Sequence, residues 1–410
     1  MLTAFSTALS ALNADSTAIN VVGNNLANLN TSGFKDVDVS FHDLVYQTLG
    51  VGPGDTQVGL GVGTPVTLQQ FTQGAIQNTG NPLDAAIQGD GFFIVSSPSA
   101  GIEYTRAGNF QVDANGNLVT PTGEQVLGWS GLNGAVNTNS PVGPINVPVG
   151  TLQAPKATTS MSVDLNLSSS AAPGDTYTTS VEVYDSLGTS HVVTLTFTKS
   201  STAGQWNYSV AFPNSDLTSP GTPLTGTLTF NGSGILTSPA SNPGPLAVTG
   251  LIDGAANMNI TWNIFNGTTP RITQFAQPSA TSAVSQDGSP TANLVNVSIG
   301  NSGQLLAQFS NGSQQVVGQL ALATIRNPQS LMAVGNNNFQ VSAQTATPAV
   351  GLPGTGGRGS VLGGSVEASN VDIAKEFTKL IVFQRGYEAN SRVFTTADQL
   401  SQDTIALIRQ

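Results

Sequence analysis

The chain has no cysteine among its 410 residues, which excludes disulfides, thiolate catalysis and zinc–sulfur sites. It is also poor in charge: Asp, Glu, Lys and Arg make up 9% of it, against about 25% in an average globular domain. The net charge is −11 and the 12 basic residues form no patch. Nucleic acid and anionic membrane are therefore not expected partners. No apolar run approaches the ~18 residues that span a bilayer, so no membrane insertion is expected. The first basic residue is Lys35, so the N-terminus lacks the charged start of a secretory leader. The expectation is retention inside the cell or export without a cleaved signal. What fills the gap is Gly, Ser, Thr and Asn, a mix suited to short strands, tight turns and neutral surfaces that pack on copies of themselves with little charge to desolvate.

The ends differ from the middle. Leu2, Phe5, Leu9, Leu12, Ile19 and Leu26 follow a 3-4 spacing with Ser16 and Gly23 in the two missing slots; near the C-terminus Ile373, Leu380, Tyr387 and Phe394 recur every seven residues, and Leu400 and Leu407 belong to a neighbouring row. Such stripes want a helical partner, either the other end of the same chain or other copies of it. A lone helix with one apolar stripe is marginal in water. Both ends are thus expected to be largely disordered in a monomer and to fold when neighbours cover them. Helices are predicted from near Thr3 to about Asn30, with Gly33 as its C-terminal cap, and from near Ser369 almost to Gln410. The N-terminal boundary of the second is read from Ser369 three residues before Asp372, a capping-box spacing. Two glycine-rich stretches read as connectors, and Gly50, Gly52, Gly54, Gly59, Gly61, Gly63, Gly354, Gly356, Gly357 and Gly359 are candidate hinges.

Between the helices the signals are β. Phe92–Val95 reads as a short buried strand, and Asn115-Gly116 as a hairpin turn. Met161, Val163, Leu165 and Leu167 alternate with polar residues, as do Val193, Leu195 and Phe197, and Trp206, Tyr208, Val210 and Phe212. Period two with one polar face predicts antiparallel sheets in a sandwich or barrel. The fold class expected is multidomain and mainly β, with two antiparallel sandwich- or barrel-like domains and paired, coiled-coil-like terminal helices. The divisions are 1–33 with 369–410 for the helical part, 34–70 with 350–368 for the connectors, 71–150 with 280–349 for an inner β domain, and 151–279 for an inserted outer one.

Enzyme chemistry finds little purchase. Asp113, Asn115, Asn117 and Glu124 have calcium-loop spacing, but the glycine falls at the fourth position and Leu118 at the sixth, so a plain hairpin is the better reading. The glycine-rich run from Gly354 to Gly359 matches a dinucleotide string without the strand–helix context that gives the string meaning. His42 and His191 read as surface or turn residues without a carboxylate pair nearby. Asp84 with Asp90, and Glu182 with Asp185, would pair only by accident of folding. No catalytic, cofactor-binding or metal-ligating residue is assigned, and no cofactor is expected.

Three motifs carry a family likeness. Asn24 to Lys35 (NNLANLNTSGFK) resembles the N-terminal signature of bacterial flagellar rod and hook proteins. Ser369 to Glu376 (SNVDIAKE), followed by Gln384 to Ser391 (QRGYEANS), resembles their C-terminal signature. Gly89 to Phe93 (GDGFF), with Tyr104 to Arg106 and Asp113 to Leu118, is similar to a β motif these axial proteins share. Length and the inserted β domain point to the hook members, with Ile272 to Phe275 and Gln286 to Gly288 resembling the return into the inner domain. Leu29 and Val366 depart from the family pattern. The resemblance implies a structural subunit exported by the flagellar type III apparatus and assembled as a helical homopolymer. Rod, hook-cap and hook–filament junction proteins are its implied partners, and the extracellular hook its place. The terminal helices are implied to line an inner tube, and the tube to act as a universal joint that carries motor torque to the filament. A distal-rod-like axial protein is the nearest alternative. A secreted β-rich adhesin or surface-layer module is the alternative of a different class.

Overall fold

The computed structural model describes residues 2–45, 47–49, 56–98, 100–132 and 134–408. Gly50, Gly52 and Gly54 lie outside the described residues, as do the side chains of Leu2 and Leu407. Two helices bracket a chain of short strands: α1 spans Leu2–Ala27 and α2 spans Ile373–Ile408. The chain divides into two compact units. One holds residues 1–149, 296–307 and 314–410, and the other holds 150–295 and 308–313.

In the first unit α1 and α2 run antiparallel against each other. Asn25 meets Glu376, Asn390 meets Asp15, and Phe5 meets Phe394. The start of α2 differs from expectation. Asp372 is the capping residue: its Oδ1 accepts the backbone N–H groups of Ala374 at 2.9 Å and Lys375 at 3.2 Å. A carboxylate there also suits the positive end of the helix dipole. Gly33 does adopt a left-handed conformation after α1, with φ of 73°. Its N–H, however, donates to the Glu367 carbonyl at 2.8 Å, and a Cβ there would lie 2.4 Å from the Ala107 nitrogen.

The β part of this unit is built on a sheet in which Gln314–Leu320, Gln125–Leu132, Phe92–Ser97, Gly101–Thr105, Asn338–Gln340 and Met332–Gly335 are successive neighbours. Phe92, Ile94, Tyr104, Trp129 and Phe339 supply much of its core. Asn115-Gly116 is the turn of a hairpin that pairs Leu118 with Val112, as read from the sequence. The stretch read as linker after Gly354 is partly paired: Ser360–Gly363 lies beside Ala85–Gln88, and Ser365–Glu367 beside Ile76–Asn78.

The second unit is two five-stranded sheets facing across one core. The strands of the two sheets are β1 (Ser160–Ser168), β2 (Thr176–Tyr184), β3 (Ser190–Lys199), β4 (Gln205–Ala211), β5 (Leu224–Phe230), β6 (Leu236–Ser238), β7 (Leu246–Val248), β8 (Met258–Asn263), β9 (Ile272–Phe275) and β10 (Ala280–Gln286). One sheet is the meander β2-β3-β4-β5-β6. In the other, β1 pairs antiparallel with β10 on one edge. On its opposite edge it pairs in parallel, first with β8 and then with β9, where only antiparallel pairing was expected. Alternation reports which residues face the core, not the direction of the neighbouring strand. The alternating residues read from the sequence are the core: Met161, Val163, Leu165, Leu167, Val193, Leu195, Phe197, Trp206 and Val210 are all buried. Trp262 completes it, 5.1 Å from the Tyr208 ring.

Candidate functional site: the terminal helix pair and the clamp at its base

The residues that join α1 to α2 are mostly small or polar, and few belong to the predicted stripes. Ala8, Ala14, Ala18, Val22 and Asn25 are the buried positions of α1. Glu376 and Ala397 are the buried positions of α2. A Cβ at Gly386 would lie 3.2 Å from the Asp15 carboxylate, so glycine lets the helices approach there. Of the predicted stripes, only Phe5 and Phe394 form a ring contact across the seam, with centroids 4.3 Å apart. Leu12, Ile19, Leu26 and Leu380 are half-buried, whereas Leu9, Ile373, Tyr387 and Leu400 are exposed. Phe377, Ile381, Val382, Val393 and Ile405 add to the exposed apolar surface of α2. The two ends pair with each other inside one chain, as the fold class anticipated, and the seam that joins them is made mainly of small and polar residues rather than of the stripes. Small side chains permit close backbone approach with little area, so the larger residues are left facing outward.

A buried amide sets the register of this pair. Asn25 is fully buried, and its Nδ2 donates to Glu376 Oε2 and to the Val37 carbonyl, both at 2.9 Å. Its Oδ1 accepts the Val37 N–H at 3.1 Å. Sliding α1 along α2 strands these groups, so one polar residue in the seam selects one alignment. Lys379 bonds the other Glu376 oxygen at 2.7 Å and also contacts Asp38. Burial, with Asp38 next in weight, raises the pKa of the neighbouring Asp36. Asp36, Asp38 and Glu376 have cation-ligating spacing. Lys379 already supplies positive charge to Asp38 and Glu376.

Below the helices the quoted motifs converge on one buried ion cluster. Lys35 Nζ contacts Glu367 Oε1 at 2.6 Å, and Arg106 Nη1 contacts Glu367 Oε2 at 3.2 Å, with Lys35 and Glu367 fully buried. Lys35 also donates to the Thr72 carbonyl at 2.7 Å, and Arg106 Nη2 to the Gly89 carbonyl at 2.9 Å. The Gly74 N–H donates to Glu367 Oε1 at 2.8 Å. Burial pushes the Lys35 pKa down against the attraction of Glu367. Asn370 adds a second tie, accepting the Asp36 N–H at 2.7 Å and donating to the Gln70 carbonyl at 2.9 Å. The chain segments after α1 and before α2 are thus locked to each other and to the first strands of the sheet. Glu367, the centre of the cluster, was not singled out in the sequence. The signal was two cations, Lys35 and Arg106, each the one charged residue of its stretch, NNLANLNTSGFK and YTR.

The candidate hinge glycines take different places. Gly61 packs on α1, where a Cβ would lie 2.4 Å from Ser10 Oγ, and Gly63 packs on the His42 ring. A Cβ at Gly359 would lie 2.4 Å from the Gln88 carbonyl oxygen. Gly354 and Gly357 have open space around them and left-handed φ values of 71° and 80°, and Gly356 shares that conformation beside Arg358. Gly59 is exposed.

The other polar residues weighed in the sequence hold local structure. Asp113 Oδ1 accepts the N–H groups of Asn115 and Asn117, each at 2.8 Å, which holds the hairpin and lowers its pKa. Glu124 accepts the hydroxyls of Thr120 and Thr122. Glu182 points outward on β2 while Asp185 is buried. Asp84 is held by Thr79 and Asn81, and Asp90 is exposed. His191 corrects the sequence reading. It is buried between two carboxylates, with Nδ1 2.7 Å from Asp216 and Nε2 3.1 Å from Asp185. Burial opposes its charge, but the bonds to Asp216 and Asp185 outweigh that and raise its pKa. Asp185 is lowered to about 2: burial works against this, and hydrogen bonding to Asp253, His191 and the Thr189 and Leu187 N–H groups prevails. The hairpin from β2 to β3 carried the signal, because an Asp in the turn and a His opening the next strand return to the same place.

Two helical ends paired through a small seam, clamped at their base and bearing an uncovered apolar face, with a β sandwich inserted in the middle, define the architecture of an axial structural subunit. Four family models of such proteins match the chain. They are Flagella basal body rod protein at residues 5–35, Flagellar hook protein FlgE/F/G D1 domain at 86–166, Flagellar basal body protein FlaE D2 domain at 157–289, and Flagellar basal body rod FlgEFG protein C-terminal at 362–407. The flagellar hook protein FlgE of Salmonella typhimurium is 34% identical over 98% of this chain and 99% of its own length. That of Borreliella burgdorferi is 34% identical over 99% and 100%, and that of Escherichia coli 33% over 98% and 100%. Among solved structures, Helicobacter pylori flagellar hook protein FlgE2 is similar in fold, with a TM-score of 0.51 at 14% identity, covering 70% of this chain and 99% of that one. The chain belongs to the flagellar hook protein family.

Proposed function

We propose that the chain builds the flagellar hook as a helical homopolymer, with the uncovered apolar face of the helix pair as its principal inter-subunit seam. The observation that carries this reading is the exposed row Ile373, Phe377 and Ile381 on α2, which the chain's own α1 does not cover, with Val382, Val393 and Leu400 forming a second exposed apolar row. Apolar surface of this extent on one helix is stabilised by burial against further copies. Contacts between unlike faces that do not close give an open helix of subunits. In this reading residues 1–33 and 369–410 line the inner tube, 34–70 and 350–368 connect, and 71–150 with 280–349 form the inner β domain. Residues 151–279 form the outer domain. The subunit leaves the cell through the flagellar type III apparatus without a cleaved leader. It meets rod, cap and hook–filament junction proteins at the ends of the polymer. Bending during rotation requires spacing between neighbours to change every turn. Weakly charged outer domains tolerate sliding at little cost, and Gly354, Gly356 and Gly357 are the proposed hinges. Electron microscopy of a strain lacking the chain tests the assignment. Loss of hook and filament with the rod intact is expected, and an intact hook contradicts it.

A further inference from the structure

One end of the sandwich carries polar side chains where its core pattern calls for apolar ones. On β3 the inward positions run Val193, Leu195, Phe197 and then Lys199. On β9 they are Ile272 and then Gln274, which lies in register with the buried Leu167. Lys199 and Gln274 are each 8% exposed. Among the described residues neither side chain has a hydrogen-bond or ion-pair partner. The Lys199 ammonium lies 5.5 Å from the centroid of the Trp206 ring, and the indole N–H of Trp206 also lacks an acceptor. Burial lowers the lysine's pKa. A lysine at the end of a core often only covers an aromatic ring with its stem. That explanation does not account for Gln274, a second polar residue at an inward position of the same end of the core.

Both residues line a cavity of about 790 Å³ at this end of the domain, bounded by the turn between β3 and β4, the turn between β5 and β6, and the end of β9. The turn between β5 and β6 depends on Gly234, at φ of 75°, where a Cβ would lie 2.9 Å from the Phe275 ring. The wall is rich in hydroxyl and amide groups, including Ser201, Thr202 and Asn231, and the Phe275 ring stands at the rim, 48% exposed. The volume falls in the range of small-molecule sites.

We propose that this cavity is a binding site for an acidic saccharide. Its carboxylate meets the Lys199 ammonium, its hydroxyls meet Gln274 and the wall, and its ring face lies on Phe275. The inference is independent of the polymer reading, since every group in it belongs to the inserted domain of one chain.

The test is binding of D-glucuronate to the full chain in dilute solution, followed by backbone amide NMR shifts, with D-glucose as the uncharged counterpart. Saturable glucuronate binding is expected in the millimolar range or tighter, with shifts centred on residues 199–204, 231–234 and 274–276. Glucose should bind at least about tenfold more weakly, the worth of one charge-assisted hydrogen bond. Lys199→Met keeps the stem over Trp206 and should lose the preference for the acid, while Lys199→Arg should keep it. An unchanged amide spectrum in each free variant shows that the fold is intact. Absence of saturable binding, equal binding of glucose, or unchanged glucuronate affinity in Lys199→Met would overturn the proposal.

Discussion

The inserted sandwich and the terminal helix pair both show apolar periodicity in the sequence, of period two in the one and of helical spacing in the other, and the periodic residues fare differently in the structure. In the sandwich the periodic residues are the core, and Val163, Leu167, Val193, Leu195 and Phe197 have no exposed surface. In the helix pair none of the described periodic residues is fully buried, with Ile373 46% and Leu400 54% exposed, while alanines, a glycine and a buried Asn–Glu bond make much of the internal seam. Periodicity reports that a face avoids water. It does not report whether the same chain supplies the cover. A sheet closes on a second sheet within one domain, whereas a helix with two apolar faces needs two neighbours, and one chain offers α2 only one.

Breaking the clamp should have the largest effect. Glu367→Ala leaves Lys35 and Arg106 buried without their counter-charge. It should cost about 4 kcal/mol, read by denaturant unfolding of the first unit. Losing less than about 1 kcal/mol would mean that the cluster does not fix the terminal segments. Next comes the sandwich core. Leu195→Ala should cost about 3 kcal/mol in the monomer, a loss read in the unfolding of the inserted domain alone.

The His191 cluster sharpens the comparison by giving the sandwich a pH signature. With its pKa raised by Asp216 and Asp185, His191 contributes stability that is complete below about pH 6.5 and lost as the pH rises through its folded value. Asp185 and Asp216 are lowered, so their share is complete above about pH 4 and lost as the pH falls through their folded values. The inserted domain should therefore unfold at its highest temperature between about pH 4 and 6.5. His191→Gln should flatten the upper flank, and a flank that persists in that variant would show that another group causes it. The smallest effect belongs to the helix face. Ile381→Ala should change monomer stability by less than about 0.5 kcal/mol, since the residue is 58% exposed. The same change should weaken polymerisation by roughly an order of magnitude or more, measured as critical concentration.

Much of the fold was legible in the sequence because its signals are local. Alternation placed the residues of β1, β3 and β4 in the core, and Asn115-Gly116 marked its hairpin. What was not legible depends on partners distant in sequence. Parallel pairing of β1 with β8 and β9 joins segments separated by about a hundred residues, and nothing in either strand encodes direction. Glu367 became visible only when Lys35 and Arg106 were brought to it. The α1–α2 seam was missed for a related reason: alanine and glycine carry little hydrophobic signal, yet they decide how close two helices come. Capping at Asp372 rather than Ser369 is a shorter-range miss, a choice between two suitable residues three apart, settled by which carboxyl or hydroxyl reaches the first free N–H groups.

The absence of native cysteine allows a direct measurement of the central claim, that the outward face of α2 is a seam between copies. A single Ile381→Cys substitution can be labelled with a maleimide in the free subunit and in the assembled polymer. The account predicts fast labelling of the free subunit and near-complete protection in the polymer. Equal labelling rates in both states would contradict it.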